Sequence, residues 1–398
     1  MATAHGDRGI ALTTGALENS LKGYFGDLEK CVRCGFCREL CPVGDLYPWE
    51  ANFPRGKVQL LKALAKGNLG VSDYVIDRMY FCTTCGYCSK RCPSGVRTNE
   101  AFEAARAAFV ALGLRTPGEH LRIVGSVLKL GNPFGEAEED RERWIPPWLK
   151  AGGRAEVLYW AGCMASYRLE ETAVSTAKIL NAAGLDFITL GRAEGDCGSI
   201  LIRTGHWREA EKLARENARK FDGLGVEALV TSCPGCFRTF ANDYPRLFGI
   251  DLERDLGLEI LHSSQLFERL LKEGRISASG IDMKVAYHDP CHLGRHMGVY
   301  DPPRNTIRGA GAEIIEHSKS RWLASCCGAG GGFRSAHGEL SIRQATRRAK
   351  QLSDLAVDAI VTACPFCVVN LRRGIEKLGR DMPVYDLPTF LEGAMDGG

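Results

Sequence analysis

Apolar positions follow two different rhythms along this chain. Between Arg55 and Lys66 they fall at Val58, Leu61, Leu64 and Ala65, which is helical spacing. Asn99 to Leu112 is alanine-rich and predicts a second helix. From residue 155 onward, short apolar runs alternate with longer amphipathic ones. AEVLYW (155–160), FITL (187–190) and EALVT (227–231) predict strands; ETAVSTAKILNAAG (171–184) and HWREAEKLARENARKF (206–221) predict helices. Strand–helix alternation argues for an α/β unit built on a mostly parallel sheet.

That unit occurs twice. AEVLYWAGCMASYR (155–168) parallels MKVAYHDPCHLGRH (283–296), GDCGS (195–199) parallels SCCGA (325–329), and EALVTSCPGC (227–236) parallels DAIVTACPFC (358–367). The offsets are 128 residues from Cys163 to Cys291, 130 from Cys197 to Cys327 and 131 from Cys233 to Cys364. A nearly constant offset over three separate blocks marks an internal duplication. In each copy the first and last blocks follow predicted strands. Open α/β sheets gather their ligands at the carboxyl ends of strands, so each copy should collect its Cys at one end of its sheet.

The chain has 398 residues, too many for one ordinary domain, and its 45% hydrophobic and 25% charged residues are those of a folded globular protein. The net charge of +3 gives no reason to expect nucleic-acid binding. Seventeen Cys change the picture. MATAHGDRGI (1–10) has no apolar signal core, and no run reaches the ~18 apolar residues of a membrane span. The expected location is cytoplasmic, where so many Cys bind metal rather than form disulfides. Eight Cys lie between Cys31 and Cys92 and nine between Cys163 and Cys367. The Cys-free stretch 131–153, with its Gly, Pro and charge clusters, reads as a surface connection whose acidic run is a solvated face.

Cys31-x2-Cys34-x2-Cys37-x3-Cys41-Pro42 recurs as Cys82-x2-Cys85-x2-Cys88-x3-Cys92-Pro93. This is the spacing of a two-cluster ferredoxin, in which the fourth Cys of each run ligates the other cluster. One [4Fe–4S] cubane takes Cys31, Cys34, Cys37 and Cys92; the other takes Cys82, Cys85, Cys88 and Cys41. Structural zinc instead pairs two separated CxxC knuckles. Gly35 and Gly86 suit N–H groups approaching cluster sulfides. Two neighbouring cubanes form a one-electron wire and do no bond chemistry, because every iron is fully ligated.

The second copy carries five Cys, at 291, 326, 327, 364 and 367, one more than a cubane takes. An adjacent pair fits an opened cluster in which one thiolate bridges two irons and another iron accepts an outside sulfur. The alternative is a buried adjacent pair or a vicinal disulfide. The first copy has Cys163, Cys197, Cys233 and Cys236, with Asp196 standing where the second has Cys326. Four Cys fit a further [4Fe–4S] cluster, zinc, or nothing, and ligand count ranks the cluster first.

These motifs carry a family resemblance. WAGCMASYR, SCPGC, YHDPCHLGRHMGVYDPPR, CCGAGGG and ACPFC resemble the CCG domains of heterodisulfide reductases. Together with the ferredoxin motif they look like the fused, D-type catalytic subunit of the membrane-associated enzymes, over nearly the whole chain from Cys31 to Cys367. Glycolate oxidase iron–sulfur subunits, the anchor subunit of anaerobic glycerol-3-phosphate dehydrogenase and sulfite-reduction complexes have the same architecture; PRGK (54–57) occurs in several of these and does not discriminate. The resemblance implies an α+β multidomain chain: a helix-rich ferredoxin domain (1–120), a linker (121–153), a degenerate first CCG domain (154–280) and a catalytic second one (281–398). It further implies that Cys291, Cys326, Cys327, Cys364 and Cys367 hold a noncubane [4Fe–4S] cluster that cleaves or makes a disulfide, such as the mixed disulfide CoM-S-S-CoB, in two one-electron steps.

The implied partners are redox subunits: a membrane cytochrome b-type subunit, a flavoprotein, or a hydrogenase- or formate-dehydrogenase-type donor. Through one of these the chain would sit on the inner face of the cytoplasmic membrane. The rival reading is an electron relay between a flavoprotein (a hydroxyacid dehydrogenase or an electron-transferring flavoprotein) and quinone or cytochrome. A third is a scaffold holding structural metal.

Disulfide reduction consumes up to two protons. His288, His292 and His296 flank Cys291 and are candidates either for proton delivery or for hydrogen bonds to cluster sulfur. Tyr167 and Tyr300 are candidate donors, and Arg168, Arg295 and Arg304 candidate anion binders. His5, His120, His206, His262, His317 and His337 have no Cys context and read as non-functional; Trp144 and Trp148 read as packing or a partner contact. GAGGG (328–332) lacks the strand and acidic partner of a dinucleotide site.

Overall fold

The computed structural model describes residues 14–149 and 151–395. The N-terminal region is helical. Thr14–Glu29, Pro54–Ala65, Asp73–Tyr80 and Thr98–Ala111 close around Leu61, Leu64, Met79, Phe102 and Phe109. Full burial of each such side chain contributes about 1.5–3 kcal/mol. The two helices expected here span Pro54–Ala65 and Thr98–Ala111, the first opening on a proline that suits a helix's first turn.

Two parallel four-stranded sheets follow. The first contains β1 (Val157–Trp160), β2 (Phe187–Ile188), β3 (Ala228–Thr231) and β4 (Glu259–His262) in the order β2-β1-β3-β4. The second contains β5 (Lys284–His288), β6 (Glu313–Ile314), β7 (Ala359–Thr362) and β8 (Val384–Asp386) in the order β6-β5-β7-β8. The identical order is the structural counterpart of the sequence duplication. The strand expected over 187–190 is only two residues long; beyond it Thr189 forms an isolated bridge to Ala151.

The repeats clasp each other reciprocally. Glu170–Ala182 of the first packs on Leu387–Met395 of the second, and Ser263–Lys272 of the first on Asp301–Gly309 of the second. One core, including Tyr159, Phe267, Tyr287 and Phe390, runs through both. This pairing resembles a two-fold interface within one chain.

The segment 121–153, expected as a surface linker, is largely built into the fold. It begins inside helix Gly118–Leu130, whose Val124 and Val127 pack on Leu201 and Ile202. Trp144 and Leu149 enter the core beside β1, and Arg141 is buried against Glu194. The charged composition misleads because Glu138 and Glu139 face solvent while Trp144, Leu149 and the paired Arg141 point inward.

Candidate functional site

The two Cys-rich loops of the ferredoxin region share an unusual backbone. The residue before and the residue after the second Cys of each run have positive φ: Arg33 (60°) and Gly35 (91°), then Thr84 (51°) and Gly86 (75°). Arginine and threonine rarely adopt this region, and such strain clusters at functional sites. Here it wraps each loop around its thiols. Cys41 crosses to lie beside Cys82 and Cys85, and Cys88 has Cys82, Cys85 and Cys41 around it. Cys92 is correspondingly among the neighbours of Cys37, with Cys31 and Cys34. Burial pushes the Cys37 and Cys41 thiols up to about 12. A metal would reverse that, since a coordinating thiol is deprotonated outright.

Donors surround these sulfurs. Thr84 N donates to Cys82 Sγ at 3.3 Å, Gly44 N to Cys41 Sγ at 3.4 Å, and Thr98 Oγ1 to Cys88 Sγ at 2.7 Å. Lys57, the last residue of PRGK, is fully buried beside Cys82 and Cys41 and donates to the Phe81 carbonyl. Burial lowers its pKa and the neighbouring thiols raise it. Sequence reasoning missed this cation; a lysine inside an otherwise apolar helix face was the available signal. The first thiol set is the outer one, with Cys34 exposed, whereas Cys41, Cys85 and Cys88 are buried.

The inner thiols abut the second repeat. Cys85 lies against Cys326, in a buried cluster with Tyr87, Leu40, Cys291 and Trp322. The glycine run after Cys327 makes this approach possible. A Cβ on Gly331 would lie 2.7 Å from the Cys82 carbonyl, and one on Gly330 2.9 Å from that of Thr83. Gly86 is required by a neighbour too: its Cβ would meet the His296 ring at 2.8 Å.

Each repeat brings its Cys to the carboxyl end of its sheet. Cys163 and Cys291 follow β1 and β5, and Cys233 and Cys364 cap the helices after β3 and β7. All nine, with Asp196, line a single cavity of about 490 Å³ between the repeats. In the second set Cys327 Sγ is 3.4 Å from Cys367 Sγ, and Cys326 lies against Cys291, Cys327 and Cys85. All seventeen Cys are free thiols, so 326 and 327 form no vicinal disulfide. Five thiols converging within contact distance fit a multi-iron group better than they fit separate buried thiols.

The three histidines of the second repeat part company. His292 lines the cavity. His288 is buried behind the thiols, close to Cys327 and Cys367. His296 sits in the wall against the ferredoxin region, its Nε2 3.0 Å from the Thr84 carbonyl. Arg238, a buried residue of the first repeat, reaches both His292 Nε2 and His296 Nε2 at 3.3 Å and is braced by Glu103 and Asp243. Burial first, then this guanidinium, holds both imidazoles well below 6.5. They are neutral at pH 7, which suits hydrogen bonding rather than titration near neutrality.

The candidate anion binders divide in the same way. Arg168 lines the cavity but is paired with Glu136, Arg295 is spent on the carbonyls of Cys85, Trp322 and Ala324, and Arg304 on Asp289 and Glu316. Two arginines outside every sequence motif, Arg334 and Arg373, also line the cavity and have no ion-pair partner among the described residues. Tyr167 is tied to the Ala137 carbonyl, and Tyr300 lies outside the cavity lining. Trp144 stacks edge-on with Tyr159 in the core, and half-exposed Trp148 packs on Phe187. His5 lies outside the described residues. His206, His262 and His317 bond to residues two positions away and His337 packs on Phe333 and on Phe81 of the ferredoxin region, while His120 Nε2 meets the Gly332 carbonyl at 2.8 Å and so buttresses the glycine run.

A ferredoxin-type dicluster unit joined to two cysteine-rich α/β repeats, with thiols of one touching thiols of the other, defines an iron–sulfur oxidoreductase subunit. Family models agree: a 4Fe-4S dicluster domain matches residues 27–96, and a cysteine-rich domain termed CCG matches 157–241 and 285–372. The chain belongs to the family of the D-type subunits of heterodisulfide reductase. It is 33% identical to the D-type subunit of the dihydromethanophenazine:CoB–CoM heterodisulfide reductase of Methanosarcina acetivorans, over 93% of this chain and 94% of the relative. Identity to the Methanosarcina barkeri protein is 34% over the same shares. The EtfAB:quinone oxidoreductase of Syntrophomonas wolfei is 27% identical, over 93% of this chain but 58% of its own length. Among solved structures, a hypothetical protein from Helicobacter pylori shares the fold, with a TM-score of 0.58 and 11% identity over 96% of this chain and 77% of that one. Among the described residues no helix is long and apolar enough to cross a membrane.

Proposed function

We propose that this chain reduces a disulfide, or oxidises the corresponding thiols, at a noncubane [4Fe–4S] cluster held by Cys291, Cys326, Cys327, Cys364 and Cys367. The observation that carries this reading is the contact between Cys85 and Cys326, which joins the inner ferredoxin thiols to a five-thiol set facing a cavity. When bound, the clusters supply one-electron transfer and, at the second CCG site, an iron open to a substrate sulfur. The balance is R–S–S–R′ + 2e⁻ + 2H⁺ → RSH + R′SH.

The chain's own residues bind and orient. Ile123, Phe134, Phe366 and Val369 give the cavity apolar walls, while Arg334 and Arg373 give it positive charge, with Arg168 beside them paired to Glu136. This suits a thiol or disulfide bearing carboxylate, sulfonate or phosphate groups. His292 faces the cavity as a neutral imidazole; with Nε2 accepting from Arg238, its proton is on Nδ1. It is thus a hydrogen-bond donor for substrate sulfur. The clusters, the division into ferredoxin domain and two CCG domains, and attachment to a membrane through a cytochrome b-type partner belong to the same reading. Val32, Phe36 and Trp49, exposed on the loops around Cys34, are where an electron-carrying partner would meet the outer thiols.

The test is low-temperature EPR of anaerobically purified, oxidised protein with and without candidate thiols. A thiol-dependent paramagnetic signal supports disulfide chemistry. Reducible cubane signals alone support the second reading, electron relay from a flavoprotein to quinone, which the name of the Syntrophomonas relative favours.

A further inference from the structure

We infer that the first repeat is also a metal centre, an iron–sulfur cluster in which the Asp196 carboxylate supplies an oxygen ligand where the second repeat supplies Cys326. The internal duplication alone equates the two positions. The structure adds that their loops are held in the same way by three equivalent bonds.

The N–H two residues on, from a glycine in the left-handed region, donates to the side chain in both: Gly198 N to Asp196 Oδ1 at 2.7 Å, and Gly328 N to Cys326 Sγ at 3.3 Å. A side-chain amide from the following long helix donates to the backbone carbonyl: Asn217 Nδ2 to Asp196 at 2.9 Å, and Gln344 Nε2 to Cys326 at 2.8 Å. The next carbonyl is bound from the helix after the last Cys pair: Tyr244 Oη to Cys197 at 3.0 Å, and Asn370 Nδ2 to Cys327 at 2.9 Å. The same scaffold thus holds the Asp196 carboxylate where the second repeat holds the Cys326 thiol.

The surroundings point the same way. Asp196 is 3% exposed and faces the cavity with Cys163, Cys197, Cys233 and Cys236. Its carboxylate has the Gly198 N–H as a donor, while Arg141 is spent on Glu194. A buried carboxylate among four thiols is an unfavourable group for the protein alone. A bound cation turns the same five donors into ligands. Zinc closes its shell with four donors and would strand the fifth. Five donors, four sulfurs and one hard oxygen, match the count of the second site, with one iron chemically distinct from the rest. None of this depends on which reaction the second site performs.

The experiment compares the full chain with its Asp196→Ala and Asp196→Cys variants, purified anaerobically from ⁵⁷Fe-grown cells. Iron, sulfide and zinc are counted, and Mössbauer spectra recorded. The readout is the difference between wild type and variant, so it does not depend on what the second site holds. Asp196→Ala is expected to lose about four irons per chain, or the distinct iron of one cluster, while the ferredoxin EPR signals persist. Asp196→Cys is expected to keep the iron and shift one quadrupole doublet toward thiolate values; this arm decides the matter if Asp196→Ala does not fold. Equal iron with superimposable spectra in the wild type and Asp196→Cys would overturn the assignment. So would one zinc per chain that disappears in Asp196→Ala while iron is unchanged.

Discussion

Arg348 Nε donates to His288 Nδ1 across 3.2 Å, and both side chains are fully buried. Because Nδ1 accepts, the imidazole proton is on Nε2, and Cys327 lies within hydrogen-bonding reach of the ring. Burial lowers the pKa of His288 and brings that of Arg348 down to about 10. The arginine thus fixes the tautomer and leaves the imidazole N–H free to donate to the Cys327 sulfur, a cluster ligand under the proposed function. His288→Leu should therefore weaken cluster retention or activity at the second CCG site by roughly 10–100-fold. His288→Gln, which keeps a donor, should recover part of it. The check is iron content together with the midpoint potential of the CCG signal; a potential identical in all three proteins would remove the proposed hydrogen bond.

The glycine run gives a steric prediction. Gly332 has φ +72°, and a Cβ there would lie 2.6 Å from His120 Nε2. Gly332→Ala should cost at least about 1 kcal/mol from the left-handed backbone alone, with the clash added. Gly338→Ala meets nothing within 4 Å and should be near neutral. Thermal unfolding of the two variants should separate them by several degrees; equal melting would mean the glycine loop is loosely held.

How much of this was legible in the sequence follows from the range of each interaction. The helix over Pro54–Ala65 and strands β1 and β3 are local patterns, and apolar spacing predicts them. The duplication is legible because Cys spacing survives while the intervening side chains diverge. The convergence of both Cys sets on one cavity is not, because it depends on the reciprocal helix clasp between repeats. The segment 121–153 misleads for the same reason: its composition is that of a loop, while Trp144 and Arg141 are recruited by partners elsewhere in the chain. Lys57, Arg334 and Arg373 carry no cluster-binding motif, and only the folded chain brings them to thiols or cavity.

The two unpaired cavity arginines predict a binding phenotype. Arg373 is exposed and forms no ion pair among the described residues, so Arg373→Ala removes charge without breaking a structural contact. For an anionic disulfide substrate, KM should rise about tenfold with kcat little changed, as expected for a charge-assisted hydrogen bond that binds ground and transition states equally. An uncharged disulfide should show no difference between variant and wild type. Equal effects on both substrates would argue that Arg373 acts through structure.

Stability should carry a pH signature at the join between repeats. Thr172 Oγ1 of the first repeat donates to Asp386 Oδ2 of the second at 2.9 Å, and Leu387 N donates to Oδ1 at the same distance. Burial raises the Asp386 pKa from 3.8 to about 7, against the lowering effect of these two donors. The folded chain therefore binds more protons than the unfolded chain between about pH 4 and pH 7. Stability from this group is fully present below the unfolded pKa and is lost as pH rises toward 7, with a ceiling of about 4 kcal/mol across the window. Asp386→Asn keeps both contacts, its oxygen accepting from Leu387 N and its amide donating to Thr172, and has no charge to bury. The variant's advantage over wild type should accordingly grow from pH 5 to pH 8 and then level off. Anaerobic urea unfolding of the two proteins at several pH values measures it directly. An advantage that is constant with pH would mean that the carboxyl ionises freely within the folded interface.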